Sequence, residues 1–345
     1  MTRLRLLALA LGVVVAASAS EPPADLMHFI PQSISPQARA IFERLLPVAL
    51  KHRAEWVAPK NVADYDARRA KQMEGAEARG AAVLQKLGVS ARDRTLGGVP
   101  VVELTPPQVV DEKSALLYVH GGAFVLGSAH STLGLAALMA AASGRRVVSV
   151  DYTVAPHAQW PQITDQVLAV HRALLADDVA PEQLGWFGDS AGGNLVAASA
   201  LKLRDASGPM PAALILLSPC TDLGQHGDTN VTLAPADPAL DPAEFPSDFE
   251  AYAPRADWKN PYVSPVYGDF SRGYPPVLLQ AGTKELLLSD SVRLYQAVQT
   301  AGGSAELDVY EGMPHVFQSY MMDTPEQRAA FAAARRFWDA HLRKP

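Results

Sequence analysis

The sequence predicts an α/β protein with a mostly parallel central sheet and helices on both faces of that sheet. From residue 99 onward, short apolar runs typical of strands alternate with longer stretches whose apolar spacing is typical of helices. Several of the short runs, such as residues 115–119, 184–187 and 212–217, are apolar throughout, as expected for strands that are covered above and below. Ligands of such sheets bind at the carboxyl ends of the strands, so functional residues are expected at those positions.

The predicted elements follow the chain in a regular order. The strands are expected at residues 101–104, 115–119, 146–150, 184–187, 212–217, 277–279 and 307–310. Helices are expected between and after them, at residues 131–143, 164–177, 191–204, 289–301 and 324–342. Two further helical stretches, residues 36–58 and 64–86, precede the first strand.

One long segment interrupts the alternation of strands and helices. Residues 223–266 are polar and contain seven prolines: Pro235, Pro238, Pro242, Pro246, Pro254, Pro261 and Pro265. A connection of this length inside one domain is either disordered or functional. Because it falls between two core strands, we expect it to form a lid, which the N-terminal helices join as a cap.

Composition excludes several classes of protein. The 345 residues are 48% hydrophobic and 19% charged, which is typical of a globular chain with a full core. With 36 acidic against 30 basic residues, the net charge of −6 argues against a nucleic-acid partner. The single cysteine, Cys220, excludes an internal disulfide, and the nine histidines show no tight metal-ligand spacing. No metal is therefore expected.

The first residues have the form of a secretory signal peptide. Two arginines precede an apolar run over residues 6–16, and an A-x-A cleavage motif ends at Ala19. The run is too short to span a membrane comfortably. We therefore expect residues 1–19 to be removed, leaving Ser20 first in an exported protein, periplasmic or secreted, without a stable membrane anchor. A buried N-terminal helix and a retained anchor are the alternatives.

A candidate nucleophile lies between a predicted strand and a predicted helix. Residues 188–192 match the motif G-x-S-x-G, with Ser190 at its centre. The apolar run 184–187 ends directly before the motif and a helix-compatible run begins directly after it, which is the strand–turn–helix context that the motif requires. The alternative is a serine that merely caps a helix.

A candidate oxyanion hole follows another strand. Residues 120–124, His-Gly-Gly-Ala-Phe, come directly after strand 115–119. Small residues let backbone N–H groups point into a site, where they and the N–H of Ala191 would stabilise a tetrahedral oxyanion. The alternative is an ordinary glycine turn after a strand.

The order of a catalytic triad on such a sheet is serine, then acid, then histidine. Only His226, His315 and His341 follow the serine. His315 lies in the loop after strand 307–310, where a base is needed, whereas His226 lies in the expected lid and His341 lies near a helix end. His120 comes too early in this order and is expected to brace its own glycine loop.

Two carboxylates are candidates for the acid. Both follow strand 277–279: Glu285 lies in the loop, and Asp290 lies at the start of a helix, where a carboxylate has a plain structural role. The position in the loop favours Glu285, and Asp290 stays open as the alternative.

These motifs together resemble the hormone-sensitive-lipase-like branch of the α/β-hydrolases, the bacterial family IV esterases. Residues 120–124 are similar to the family's H-G-G-G-F, residues 188–194 to G-D-S-A-G-G-N, residues 150–156 to V-D-Y-x-L-A-P and residues 312–317 to G-M-P-H-x-F. The resemblance runs from about residue 80 to the end of the chain. It implies an α/β-hydrolase fold with a helical cap and no cofactor.

The resemblance also implies roles for individual residues. In this family the amides of Gly122, Ala123 and Ala191 would form the oxyanion hole. Two departures stand out: Ala123 replaces the third glycine of its motif, and Glu285-Leu286 stands where the family usually has Asp-Pro. The second departure falls at the candidate acid itself.

We therefore expect a serine carboxylesterase that hydrolyses small-molecule esters with short acyl chains through an acyl-enzyme. An amidase or a peptidase on the same triad is one alternative. A non-catalytic small-molecule receptor of the same fold is the other, and it is disfavoured because such receptors lose the histidine that this chain retains. Cap helices are expected at residues 20–80 and the catalytic domain at residues 81–345. A homodimer is left open as the assembly.

Overall fold

An eight-stranded sheet forms the centre of the fold in the computed structural model, which describes residues 26–342. The predicted signal peptide, residues 1–19, lies outside these residues. The strands are β1 (Ser90–Leu96), β2 (Val99–Thr105), β3 (Ala115–Val119), β4 (Arg146–Val150), β5 (Leu184–Asp189), β6 (Ala213–Leu217), β7 (Val277–Gly282) and β8 (Ala305–Tyr310). Their order in the sheet is β1-β2-β4-β3-β5-β6-β7-β8.

The prediction of a mostly parallel sheet is confirmed. Strand β2 pairs antiparallel with β1 and with β4, and the other neighbouring strands are parallel. Every residue of β3, β6 and β7 is buried. Apart from Gln280 in β7, these strands are apolar because both of their faces pack against helices.

Ten helices surround the sheet in the described part of the chain. Their bounds are α1 (Pro36–Glu55), α2 (Val62–Met73), α3 (Ala76–Leu87), α4 (Leu133–Ser143), α5 (Trp160–Ala176), α6 (Ala191–Asp205), α7 (Thr229–Thr232), α8 (Phe245–Tyr252), α9 (Leu288–Thr300) and α10 (Pro325–His341). The two faces of the sheet form two apolar clusters, one with α5, α6 and α9 and the other with α4 and α10. Successive strand residues alternate between them: Leu117 lies in the first cluster and Leu116 in the second.

Two predictions about the N-terminal part need correction. The predicted helical stretch 64–86 is two helices, because Gly75 between α2 and α3 has a φ of 66°, outside the helical range. The predicted stretch 36–58 ends at Glu55, where the backbone of Trp56 becomes extended. No prediction was made for β1, which pairs with β2 at the edge of the sheet.

The N-terminal helices are joined to the insertion at residues 223–266 by polar contacts. Arg53 of α1 donates to the carbonyl oxygen of Asp237 at 2.7 Å. The hydroxyl of Tyr65 in α2 donates to the carbonyl oxygen of Ser247 at 2.8 Å. Arg68 of α2 pairs with Asp248 at 2.6 Å. Within residues 26–342, no helix combines the length and apolar character needed to cross a membrane.

Candidate active site

Ser190 lies at a sharp turn between β5 and α6. Its backbone has φ 53° and ψ −122°, which is a strained conformation for a residue with a side chain. The turn depends on small neighbours, because a Cβ on Gly192 would collide with the carbonyl oxygen of Val119. The Ser190 N–H donates to the carbonyl of Leu217 at 2.8 Å, and its own carbonyl accepts from the Cys220 N–H at 3.2 Å. The carboxyl end of β6 and the loop after it therefore hold the serine in place.

The loop after β3 turns tightly beside this serine. Gly122, Ala123 and Phe124 have φ values of 117°, 50° and 69°. The carbonyl of Gly122 accepts from the N–H groups of Val125 at 3.0 Å and Leu126 at 2.8 Å. Among the hydrogen bonds of the described residues, none uses the N–H of Gly122 or Ala123 as a donor. Ala191 is the first residue of α6, so its N–H has no acceptor within the helix.

Asp189 and His120 support this loop from behind. Oδ1 of Asp189 accepts from the Gly121 N–H at 3.0 Å and from the Tyr118 hydroxyl at 2.7 Å. Burial lowers the pKa of His120 to about 4, so its ring is neutral near neutral pH. The ring stacks on Tyr152 with centroids 4.2 Å apart, and its Nδ1 lies 2.8 Å from the Gly121 carbonyl oxygen. His120 thus braces the glycine loop, as the sequence predicts.

The loop after β8 places His315 against the loop after β7. Nδ1 of His315 lies 2.8 Å from Oε2 of Glu285. The other oxygen of Glu285 accepts from the Gly282 N–H at 2.6 Å and from the Ser218 hydroxyl at 3.0 Å. All three hydrogen bonds of this carboxylate are buried and no longer than 3.0 Å, so its orientation is fixed.

Asp290, the alternative acid, faces elsewhere. Its Oδ2 accepts from the N–H groups of Thr221 at 2.6 Å and Asp222 at 2.9 Å. It therefore ties the start of α9 to the loop after β6. The structure brings Glu285, and not Asp290, to His315.

The charges around His315 favour its protonated form. Burial lowers its pKa, but the hydrogen bond and charge of Glu285, together with the charges of Asp237 and Asp189, outweigh burial and raise the pKa above the ordinary 6.5. Burial in turn raises the pKa of both Asp237 and Asp189. The histidine is therefore a stronger base than an isolated imidazole.

The two other histidines that follow Ser190 lie outside this arrangement. Nδ1 of His226 lies 3.0 Å from Asp222, in a cluster that also includes the Tyr267 hydroxyl. His341 at the end of α10 packs against the ring of Phe337. Neither lines the cavity described next.

A cavity of about 1150 Å³ contains the groups that the sequence singles out. Its lining includes Ser190, His315, Gly122, Ala123 and Ala191. Aromatic side chains form one wall: Phe124, Phe245 and Phe249. Part of the lining comes from α1, α2 and the insertion, so the cap covers the cavity. Within residues 26–342, no group of three or more His, Cys, Asp or Glu side chains is arranged to hold a metal ion.

Two polar residues of the site were not predicted from the sequence. The hydroxyl of Ser218 donates to Glu285 and accepts from the Val316 N–H at 3.1 Å, so it links the acid loop to the histidine loop. Asp237 of the insertion accepts from the N–H of Leu286 at 2.8 Å. Ser218 follows directly on a predicted strand, and that position at a carboxyl end is the signal that could have identified it. Asp237 carries no such signal.

Comparison with known proteins places the chain in a family. A family model described as the alpha/beta hydrolase fold matches residues 116–319. The acetyl-hydrolase of Streptomyces hygroscopicus is 34% identical over 251 residues, which is 73% of this chain and 83% of that protein. The chain therefore belongs to the α/β-hydrolase family.

Solved structures narrow the resemblance. The crystal structure of esterase E25 superposes with a TM-score of 0.84 at 30% identity, covering 91% of this chain and 96% of that one. An esterase from the bacterial hormone-sensitive lipase family superposes with a TM-score of 0.77 at 30% identity, covering 90% and 99%. The expected resemblance to the hormone-sensitive-lipase-like branch is confirmed.

Proposed function

We propose that this protein is a serine carboxylesterase in which Ser190 is the nucleophile, His315 the base and Glu285 the orienting acid. The broader class, a carboxylic ester hydrolase, agrees with the family and with the relatives named above. The observation that carries the proposal is the 2.8 Å contact between Nδ1 of His315 and Glu285, at a cavity that Ser190 also lines. Because a carboxylate only accepts hydrogen bonds, Nδ1 carries the proton and Nε2 is left as the base.

Acylation begins when Oγ of Ser190 attacks the ester carbonyl and Nε2 of His315 takes the hydroxyl proton. The carbonyl oxygen becomes an oxyanion, which the amides of Gly122, Ala123 and Ala191 stabilise. Collapse of the tetrahedral intermediate breaks the bond to the alcohol oxygen. The imidazolium of His315 gives its proton to that oxygen, and the alcohol leaves.

Deacylation repeats these steps with water. His315 takes a proton from water while the water oxygen attacks the acyl carbonyl, and the same amides hold the second oxyanion. When this intermediate collapses, Oγ of Ser190 leaves and takes the proton back from His315. The carboxylate of Glu285 stabilises the imidazolium in both halves of the cycle, so no cofactor is required.

We propose that the substrates are small esters with short acyl chains, roughly two to eight carbons. Each buried methylene adds only about 0.8 kcal/mol of binding free energy, and this gain ends where the acyl chain meets the wall of the cavity. Support comes from the aromatic wall of Phe124, Phe245 and Phe249 and from the cap above the cavity. Phe124 stacks on Tyr252 with centroids 3.8 Å apart, which backs the wall with a second ring. A rigid wall sets a limit to acyl length.

The test replaces the nucleophile and the base. Ser190→Ala or His315→Ala is expected to lower kcat by about 10⁴-fold, because the triad acts as a unit. An organophosphonate is expected to label the wild type once, at Ser190, and not to label Ser190→Ala. His226→Ala serves as the matched control, since His226 lies outside the cavity, and it should keep wild-type kcat.

Full activity in either triad variant would reject the mechanism. Anilides that match the esters in acyl group separate the alternatives: faster turnover of the anilides would favour the amidase. Absence of any hydrolysis by the folded wild type, with retained ligand binding, would favour the receptor.

A further inference from the structure

The buried carboxylate of Asp237 holds the loop that carries Glu285. Its Oδ2 accepts from the N–H of Leu286 at 2.8 Å. Its Oδ1 accepts from the N–H groups of Ala239 at 2.8 Å and Leu240 at 3.0 Å. Asp237 is fully buried, and hydrogen bonds to a buried charge are stronger than those between neutral groups. The residue thus joins the insertion to the position next to the proposed acid.

The other polar backbone atom of Leu286 is also held by the insertion. Its carbonyl oxygen accepts from the Thr229 hydroxyl at 2.8 Å and from the Asn230 side-chain amide at 3.2 Å. The insertion therefore grips the peptide on both sides of Leu286. Since Leu286 follows Glu285 directly, these hydrogen bonds restrict the position of the Glu285 backbone and so of its Cβ atom.

The cap helices reach the same point. Arg53 of α1 donates to the backbone carbonyl of Asp237 at 2.7 Å and also contacts the carbonyl of Leu240. A continuous chain of hydrogen bonds therefore leads from α1 through Asp237 to Leu286. Adjacent to it, the carboxylate of Glu285 contacts His315.

The hydrogen bond from Leu286 depends on a departure from the motif that the chain resembles. Proline, which usually follows the acid in that motif, has no backbone N–H and could not donate to Asp237. This chain has leucine there and a glutamate in place of the aspartate. The longer acid, Glu285, and the additional N–H donor, Leu286, thus occur together, and the carboxylate of Asp237 accepts the hydrogen bond from that donor.

We propose that Asp237 is a positioning residue that holds Glu285 against His315 through the N–H of Leu286. The insertion then supports the triad in addition to covering the cavity. The inference rests on the proposed function, because it takes Glu285 as the group that orients His315.

The test measures kinetics on six variants of the full chain, of which four are single substitutions near or matched to Asp237, one combines two of them, and one is Glu285→Gln. Asp237→Asn removes the charge. Leu286→Pro removes the N–H donor and the leucine side chain, and its ring also fixes φ and restricts the preceding Glu285. Leu286→Ala loses the side chain but keeps the N–H, so it corrects for the lost side chain, and Leu286→Pro measured in the Asp237→Asn background separates the hydrogen bond from the effect of the ring. Asp228→Asn changes an exposed carboxylate in the same insertion and should match the wild type.

For Asp237→Asn we expect kcat to fall by about 10- to 100-fold, as for other misplacements near 1 Å, while KM changes by less than about threefold. Leu286→Pro should have a kcat about tenfold or more below that of Leu286→Ala. Asp237→Asn combined with Leu286→Pro should be no slower than the slower single variant, because both break one interaction.

A pH profile separates this role from a merely structural one. The charged or titratable groups that face His315 are Glu285, Asp237 and Asp189, and the Tyr320 hydroxyl donates to its carbonyl at 2.9 Å. Removing the Asp237 charge makes the imidazolium less stable, so the acidic limb of kcat/KM should move to lower pH. Because this direct effect of the charge needs no positioning role, the decisive comparison is Leu286→Pro against Leu286→Ala, which both keep Asp237. Displacement of Glu285 should move the limb of Leu286→Pro to lower pH, whereas a loss of packing alone would leave the two limbs together.

The two failures can be told apart. If Asp237→Asn and Leu286→Pro keep the kcat of their references while Glu285→Gln loses turnover, the positioning role is wrong and the proposed function stands. If Glu285→Gln keeps full turnover, the proposed acid and the positioning role both fall. Circular dichroism on each sample restricts the comparison to folded protein. If Asp237→Asn does not fold, the kcat of Leu286→Pro relative to that of Leu286→Ala provides the test.

Discussion

Oε2 of Glu285 lies 2.8 Å from Nδ1 of His315, and the opposite oxygen of the same carboxylate is held by the Gly282 N–H and the Ser218 hydroxyl. The carboxylate therefore cannot rotate without breaking two other hydrogen bonds. Its fixed direction sets the plane of the imidazole and keeps the proton on Nδ1. The tautomer required of a general base is built into the loops before any substrate binds.

Substitution of the two candidate acids should separate catalysis from structure. Glu285→Gln is expected to lower kcat by about 10⁴-fold, because the imidazole loses its tautomer and its counter-charge. Asp290→Asn should change kcat by only a few-fold and lower the free energy of unfolding by about 1 kcal/mol. Burial raises the pKa of Asp290 to about 7, which favours its neutral form, the form that asparagine resembles. The reverse order of rates, on samples with matched circular dichroism, would assign the role to Asp290.

The pH profile of kcat/KM should report the raised pKa of His315. The base must be neutral to accept a proton, so activity falls as pH drops through that pKa. Because Glu285, Asp237 and Asp189 stabilise the imidazolium, the acidic limb should have its midpoint above the ordinary 6.5. The residual activity of Glu285→Gln should show the limb at lower pH. Initial rates with a substrate whose leaving group does not titrate from about pH 5 to about pH 9 provide the measurement. A wild-type midpoint below 6.5 would contradict the assignment.

Ser218→Ala should weaken both stability and turnover. It removes one hydrogen bond to Glu285 and leaves the buried Val316 N–H without its acceptor, at a cost of about 1–3 kcal/mol in the free energy of unfolding. Loss of one of three anchors on the acid should lower kcat by about tenfold, equivalent to about 1.4 kcal/mol. The control is Ser199→Ala, whose buried hydroxyl has no hydrogen-bond partner among the described residues. Equal effects of the two substitutions would argue against a link between the acid and histidine loops.

Acyl-chain selection should depend on the aromatic wall. Wild-type kcat/KM is expected to be higher for butanoyl than for hexadecanoyl esters. Phe249→Ala shortens the wall and should raise the ratio of decanoyl to butanoyl kcat/KM by about tenfold, the value of roughly two buried methylenes. Phe331→Ala, a buried phenylalanine of α10 outside the cavity, should lower the melting temperature without changing that ratio. Preference of the wild type for the hexadecanoyl ester would reject the short-chain proposal.

The fold could be predicted where the apolar pattern is strong and not where it is weak. Every predicted strand is present. The central strands β3, β6 and β7 could be predicted because burial on both faces makes them apolar at all positions except Gln280. Strand β1 was missed because it lies at the sheet edge, has mostly exposed residues and carries polar side chains on both faces. The break between α2 and α3 depends on the conformation of Gly75 alone, which apolar spacing does not show.

The site divides in the same way. Ser190 and His315 could be placed because each lies in a motif directly after a predicted strand. The motifs left Glu285 and Asp290 open, and only the hydrogen bonds of the folded loops associate one of them with the histidine. Asp237 could not be found, because it belongs to no motif and its partner Leu286 lies 49 residues away.

Left-handed backbone conformations gather at one edge of the sheet. Five non-glycine residues around the cavity have φ between 48° and 69°: Ala123, Phe124, Ser190, Ser218 and Val316. Each costs about 1 kcal/mol or more, which the rest of the domain must offset. The backbone around the cavity would consequently release strain free energy if it unfolded locally. On slow heating, hydrolytic activity should therefore disappear before the circular dichroism signal of the helices does. Stabilising substitutions in helices far from the cavity should raise the melting temperature more than the temperature of inactivation.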